Sequence, residues 1–153
     1  MTHHELCIRA ASWLKNSLHC RCVIVEPGTA SAGGEIPDVI GWNNSRSILV
    51  ECKTSRADFR ADLDKHFRRS AYHIAKAVGH WRFYFAEQGI IPHDKLPEGW
   101  GLYEVVGRQV KHAAGPKHAN AFQGPFPSNR DYEVALLLYH ADKLKMEIKQ
   151  QKE

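Results

Sequence analysis

The chain has 153 residues, 43% of them hydrophobic and 25% charged, which is an ordinary globular composition and predicts one domain, 1–153, with a real core. No apolar run approaches the ~20 residues of a membrane span, and we expect no secretory signal because the N-terminus lacks an apolar h-region. The formal net charge of +4 permits a polyanionic partner without demanding one.

The first elements are predicted to be a helix, a strand and a loop. Residues 2–18 carry apolar side chains at helical intervals, and Thr2 with Glu5 has the spacing of a capping box. Residues 21–26 have the pattern of a short strand. Residues 27–34 are rich in glycine and small residues, which is typical of a flexible loop.

The cysteines lack the spacing of a disulfide framework, and we expect free thiols in a reducing cytoplasm. They are Cys7, Cys20, Cys22 and Cys52. Cys20 and Cys22 are spaced to lie on one face of a strand, but no second pair completes the four ligands of a structural zinc site.

The stretch IPDVIGWNNSRSILVECKTSRADFR, residues 36–60, predicts a hairpin followed by a helix. Strands are expected at 37–42 and 47–53, with the turn at Asn44-Ser45. Ser55 and Asp58 have the spacing of a helix cap. One long helix is expected after them, because the apolar residues continue at helical spacing through Phe59, Leu63, Phe67, Ala71, Ile74 and Val78.

The C-terminal half adds an aromatic strand at 80–87, a hairpin at 101–113 around Gly107-Arg108 and a last helix at 129–148 whose lysine-rich end is expected to fray. The order of the elements predicts an α/β (α+β) fold, in which helices flank a mixed sheet.

Three polar residues stand out in the hairpin. With the turn at Asn44-Ser45, Asp38 lies directly opposite Glu51, and Lys53 shares their face because it follows Glu51 by two positions. The other face of the second strand carries the apolar residues Ile48, Val50 and Cys52. A slip of one residue in this register would destroy the arrangement.

Two opposed carboxylates need a counter-charge. At an effective dielectric constant of about 20 and a separation of about 5 Å, they repel by about 3 kcal/mol. Lys53 offsets part of this repulsion, and a divalent cation would offset all of it. Carboxylate oxygens suit Mg²⁺ or Mn²⁺, which can polarise a phosphate. Lys53 could then activate water or stabilise developing negative charge, and both roles stay open.

Pro37-Asp38 and Glu51-Cys52-Lys53 on consecutive strands resemble the PD-(D/E)xK nuclease superfamily. The segments VECKTSRADFRAD (50–62), FYFA (83–86) and PEGWGLYEV (97–105) resemble the MmcB-like DNA-repair family. The likeness covers about residues 36–106, and the sequence departs from the family pattern after Asp62. The resemblance implies a restriction-endonuclease-like αβββαβ core with catalytic Asp38, Glu51 and Lys53, and a cytoplasmic bacterial or phage protein that acts on DNA.

In this superfamily a glutamate on the first helix often adds a metal ligand. The resemblance therefore makes Glu5 the first candidate, although Glu5 also completes a capping box with Thr2. Glu26, at the end of the first strand, ranks second. Glu35, beside the Pro-Asp step, ranks third.

Basic residues cluster on and near the helix that follows the Glu-x-Lys strand, where the helix N-terminus favours phosphate. We expect Ser55, Arg56 and Arg60 to contact DNA phosphates. Lys65, Arg68 and Arg69 are weaker candidates, because acidic residues interleave with them.

The sequence thus predicts a Mg²⁺-dependent deoxyribonuclease, with metal bound by Asp38 and Glu51 and, less firmly, by Glu5. The alternative from another class is a nucleic-acid-binding module that keeps the fold but cuts poorly or not at all. A nuclease for RNA or branched DNA is a third hypothesis. Because a small domain with one site often cuts two strands as a pair, a homodimer is also considered.

Overall fold

The computed structural model describes residues 1–28, 35–120 and 123–153, and for residues 66 and 67 it describes the backbone only. The predicted loop at 27–34 therefore falls largely outside the described residues. The helices are α1 (His3–Asn16), α2 (Arg56–Leu63), α3 (His66–Arg69), α4 (Ala71–Lys76) and α5 (Arg130–Lys152). The strands are β1 (Cys22–Val25), β2 (Val39–Asn43), β3 (Arg46–Lys53), β4 (Trp81–Glu87), β5 (Gly101–Val106) and β6 (Gln109–Ala114).

The strands form one six-stranded sheet in the order β1-β2-β3-β4-β5-β6. Strands β1, β2 and β3 pair antiparallel, β3, β4 and β5 pair parallel, and β6 returns antiparallel to β5. The predicted mixed sheet flanked by helices, with a C-terminal hairpin and helix, is therefore confirmed.

Helix α1 packs on one face of this sheet. Its first turn is closed by the predicted capping box between Thr2 and Glu5. Trp13, on the buried side of the helix, lies 4.4 Å from the ring of Tyr103 and 5.6 Å from that of Phe85, measured between centroids. Burying a large apolar side chain in this way stabilises the fold by about 1.5–3 kcal/mol.

The opposite face of the sheet is covered by α2 and α5. Phe59 of α2 meets the ring of Tyr84 edge-on at 5.0 Å, and Leu136 of α5 is buried in the same cluster. Because side chains alternate along a strand, β3 contributes Val50 to the α1 side and Leu49 to this side.

The prediction of one long helix after Ser55 is wrong. The segment forms three short helices instead, and the first ends at Leu63. In an unbroken helix Arg68 would lie two and a half turns beyond Phe59 and therefore face away from the core. The break allows Arg68 to turn inward, where it is buried.

Two smaller expectations are also wrong. Cys20 and Cys22 do not share a face, because Cys20 precedes β1 and packs on the α1 side, whereas Cys22 packs on the other. The last helix does not end at residue 148 but continues to Lys152. The four cysteines have free thiols, as expected. None of the described helices has the length and apolar character that crossing a bilayer requires.

Candidate active site

The hairpin between β2 and β3 has the predicted register. Val39 pairs with Val50, and Asn43 pairs with Arg46 on either side of the turn. One further step along this register sets Asp38 opposite Glu51. The Asp38 carboxylate is fixed there, because the backbone N–H of Cys52 donates a hydrogen bond of 2.8 Å to Asp38 Oδ2.

Glu51 and Lys53 lie side by side on the face that the sequence predicted. Lys53 Nζ is 3.5 Å from Glu51 Oε2, and both residues are only 4% exposed. Val50 and Cys52 point to the opposite side and are fully buried in the α1 cluster. The alternation of the strand thus separates an ionic face from an apolar one.

Lys53 has a second acidic partner that sequence reasoning missed. Asp62 of α2 is 1% exposed, and its Oδ1 lies 3.2 Å from Lys53 Nζ. The hydroxyl of Tyr84 donates a 2.5 Å hydrogen bond to Asp62 Oδ2. Asp62 follows the buried Phe59 by three residues, and this spacing is a weak signal that Asp62 also faces inward.

Arg68 lies inside this group of acids, and its expected role in phosphate contact is wrong. Its Nη1 donates to Glu35 Oε1 at 2.6 Å, and its Nε donates to Asp62 Oδ2 at 2.9 Å. Its Nη2 lies 3.7 Å from Glu51 Oε1, and the guanidinium stacks over the ring of Trp100 at 4.4 Å. Only the break after α2 brings Arg68 here, so helical periodicity could not predict this position.

Five buried ionic residues and the partly exposed Asp38 form what we call the acid cluster, with four carboxyl groups and two cations: Glu35, Asp38, Glu51, Asp62, Lys53 and Arg68. Burial, Asp38 and Glu35 raise the pKa of Glu51 well above its usual range, although Arg68 and Lys53 oppose the shift. Burial and the neighbouring acids therefore disfavour negative charge at Glu51, and an added cation would favour it.

Lys53 and Asp62 keep their charges in this setting. Burial by itself lowers the pKa of Lys53, but Glu51, Asp62 and Asp38 outweigh burial and raise it above the ordinary value. Burial raises the pKa of Asp62, but Arg68 and Lys53 outweigh it, so the pKa of Asp62 is lowered. Lys53 is therefore an ammonium group, and Asp62 is a carboxylate.

The three candidate glutamates occupy different places. The Glu5 carboxylate accepts a 2.7 Å hydrogen bond from the Thr2 backbone, which uses it as part of the cap. Glu26 contacts the imidazoles of His3 and His4. Glu35 is 1% exposed and is one of the carboxyl groups that raise the pKa of Glu51. The packing thus favours Glu35 as the additional metal ligand, although Glu35 ranked third of the three candidates from the sequence.

The α1 residue that reaches Asp38 is His3, whose Nε2 lies 3.4 Å from Asp38 Oδ1. His3 was not among the residues predicted from the sequence to lie near the hairpin. The position of His3 on the first turn of α1 could have indicated that it lies near the hairpin, because the superfamily resemblance implied a metal-binding glutamate in that part of the fold.

The predicted phosphate-binding residues lie at the start of α2. Ser55 is the N-cap, and its Oγ accepts a 3.1 Å hydrogen bond from the backbone of Asp58. Arg56 is exposed, and its Nη2 donates to the carbonyl of Gly89 at 3.3 Å. Arg60 is also exposed. These side chains are accessible to a polyanion beside the acid cluster.

Asp38 and Glu51 fit a small divalent cation. Glu51 Oε1 is buried and accepts no hydrogen bond within the described part of the chain, and the acid cluster has an excess of carboxyl groups. Mg²⁺ commonly binds one or two carboxylates and completes its shell with water and substrate phosphates. A site with two protein carboxylates suits that chemistry.

No protein-family model matches the chain, and no curated protein matches it. A solved structure, a protein of unknown function from Silicibacter pomeroyi, is similar with a TM-score of 0.64 and 22% identity over 99% of this chain and 94% of that chain. At this identity the likeness shows the fold alone. It extends over nearly the whole of both chains.

Proposed function

We propose that this protein is a divalent-metal-dependent nuclease of PD-(D/E)xK type that hydrolyses DNA phosphodiester bonds. The observation that carries the proposal is the β2–β3 register, which sets Asp38 opposite Glu51 while Lys53 Nζ lies 3.5 Å from Glu51 Oε2. Hard oxygen ligands beside a buried ammonium group suit hydrolysis of an anionic ester.

The order of the elements supports the same proposal. A helix, three strands, a helical segment and a fourth strand follow one another through β4, which is the αβββαβ order of a restriction-endonuclease-like core. Asp38 lies directly before β2, and Glu51 and Lys53 lie on β3, where that superfamily carries its motif. The additional hairpin and α5 extend this core at its C-terminal side.

Each residue then has a defined role. Asp38 and Glu51 would hold Mg²⁺ or Mn²⁺, which supplies Lewis-acid activation of the phosphodiester when bound. Lys53, whose Nζ lies 3.5 Å from Glu51 Oε2, would stabilise negative charge on the phosphate. Arg68 contacts Glu51, and Asp62 contacts Lys53, so these contacts hold Glu51 and Lys53 in position.

DNA would lie across the start of α2. The exposed Arg56 and Arg60 are there, and the N-terminal end of a helix attracts phosphate. Ser55 can donate its hydroxyl proton while its oxygen accepts the cap bond. Since one site cuts one strand, cleavage of a duplex would require two copies or two encounters.

The test is cleavage of supercoiled plasmid and of labelled single- and double-stranded DNA and RNA, with Mg²⁺, Mn²⁺ or EDTA. Asp38→Asn and Glu51→Gln keep side-chain shape and remove charge, so we expect both variants to fold and to lose cleavage. Asp94→Asn, at an exposed acid away from the hairpin, is the matched control and should cut normally. Cleavage in EDTA, or full activity of Asp38→Asn, would refute the proposal.

A nucleic-acid-binding module is the second candidate, and one observation favours it. Arg68 already contacts Glu35, Asp62 and Glu51, so the acid cluster is partly neutralised from within. Such a module would bind DNA in a salt-sensitive way without cutting it under any metal condition. Replacing both Arg56 and Arg60 with Gln should weaken binding in either case, so only the cleavage assay separates the two functions.

A further inference from the structure

A second group of potential ligands lies at the start of α1, outside the acid cluster. His3 and Cys7 are four residues apart on the helix and therefore share one side of it. Glu26 follows the end of β1 and approaches them from the sheet. One ligand atom from each of these three residues lies within 4.8 Å of the other two.

Two of the three separations between ligand atoms are close to the edges of a metal coordination shell. Cys7 Sγ is 3.8 Å from His3 Nδ1, and Glu26 Oε1 is 3.6 Å from the same nitrogen. With a Zn–S bond of about 2.3 Å and Zn–N and Zn–O bonds of about 2.0 Å, tetrahedral geometry separates such ligands by about 3.3–3.6 Å. These two separations exceed the ideal edges by a few tenths of an ångström, and the ligand atoms of Cys7 and Glu26 lie within 4.8 Å of each other.

We propose that His3, Cys7 and Glu26 form a binding site for a borderline-soft transition-metal ion of the Zn²⁺ type. A thiolate, an imidazole and a carboxylate together favour Zn²⁺ or Co²⁺ over Mg²⁺, which requires oxygen ligands. With three protein ligands, the fourth position stays open to water or to another ligand.

The surrounding groups are arranged as outer-shell partners. His3 Nε2 lies 3.4 Å from Asp38 Oδ1, so a metal on Nδ1 would leave Nε2–H to donate to that carboxylate. This is the carboxylate–histidine–metal arrangement that orients ligands in zinc proteins. His4 Nδ1 lies 2.9 Å from Glu26 Oε2, the carboxylate oxygen that is not assigned to the metal.

Access and burial are also suitable. The side chains of His3 and Glu26 are 42% and 43% exposed, whereas Cys7 is fully buried beneath them. An ion can therefore enter from solvent and reach the thiol at the floor of the site. The thiol binds as a thiolate and releases its proton to solvent on binding.

The test is titration of the reduced, metal-free protein with Co²⁺, without DNA or Mg²⁺. Thiolate ligation to Co²⁺ gives a charge-transfer absorption band, and we expect this band at one equivalent of Co²⁺ and its loss when Zn²⁺ is added. Cys7→Ser should abolish the band. Glu26→Gln and His3→Gln change exposed side chains, so both should fold and bind Co²⁺ more weakly.

The matched controls are Cys22→Ser and His93→Gln, which change a thiol and an imidazole elsewhere on the molecule. Asp38→Asn removes the outer-shell acceptor and should weaken Co²⁺ binding by about 10–100-fold. Absence of the band in the folded wild type would overturn the proposal, and so would a band that survives in Cys7→Ser or disappears in Cys22→Ser. These results are independent of DNA cleavage, so failure of the nuclease proposal would not imply failure here.

Discussion

The acid cluster makes Arg68→Met the most informative change for stability. The Arg68 guanidinium pairs with Glu35 and Asp62 at 2.6 and 2.9 Å, and each of these two residues is 1% exposed. Methionine retains the apolar length of the side chain and its packing against Trp100. The substitution therefore removes the cation that these two buried acids share, while Asp62 keeps its contact with Lys53.

Breaking a buried ion pair by removing one partner costs about 3–5 kcal/mol, because the remaining charge stays desolvated. Since domains are stable by about 5–15 kcal/mol in total, this is a large fraction of the available stability. We expect Arg68→Met to lower the free energy of unfolding by that amount, measured by urea denaturation and followed by circular dichroism and tryptophan fluorescence.

Two comparisons make the experiment decisive. Arg69→Met, in the same short helix, removes an exposed arginine whose partner Asp64 is also exposed, and it should cost less than about 1 kcal/mol. Adding Glu35→Gln to Arg68→Met removes the buried acid that Arg68 contacts at 2.6 Å and should restore part of the loss. Equal effects of the two arginine substitutions, or no restoration by Glu35→Gln, would refute the assignment of Arg68 as the buried counter-ion.

Three further changes test other parts of the fold. Tyr84→Phe removes the 2.5 Å hydrogen bond to the buried Asp62 carboxylate and should cost about 1.5–3 kcal/mol in urea denaturation. Burial lowers the pKa of His80, whose Nδ1 accepts a hydrogen bond from Ser47 N–H. Because the unfolded chain then binds a proton more readily than the folded protein, the free energy of unfolding should fall as the pH drops through about 6.5, the pKa of histidine in the unfolded chain. His80→Asn keeps an acceptor without this titration and should flatten the dependence between pH 7 and pH 5. Gly101→Ala places a Cβ 2.3 Å from a backbone carbonyl oxygen and should cost about 1–3 kcal/mol in thermal or urea unfolding.

The substitutions at Tyr84 and Gly101 each have a matched control. Tyr139→Phe changes an exposed tyrosine and should shift stability by less than about 0.5 kcal/mol. Gly28→Ala adds a Cβ with ordinary van der Waals contact at 3.8 Å and should be tolerated. If His80→Asn leaves the pH dependence of stability unchanged, His80 is not the titrating group. A loss from Tyr84→Phe no larger than that from Tyr139→Phe would mean that the hydroxyl does not stabilise Asp62.

Local chemistry was sufficient to predict the hairpin and the contact between Glu51 and Lys53. The turn at Asn44-Ser45 fixes the register, and the two-residue period of a strand then assigns each side chain to a face. Val50 and Cys52 could be assigned to the core for the same reason. The capping box of α1 was equally visible, because its bonds join residues three apart.

The sequence by itself thus determined that the sheet is mixed, the register of the hairpin between β2 and β3, and the acidic face of that hairpin, because these depend on periodicity and on neighbours a few residues apart. Only the tertiary structure decided that the helix after Ser55 breaks, that Arg68 turns inward and that Asp62 and Glu35 join the cluster. It also decided that His3 rather than Glu5 reaches Asp38. These outcomes depend on charges that are far apart in the sequence and must neutralise one another once they are buried together. No pattern of neighbouring residues in the chain reveals that electrostatic requirement.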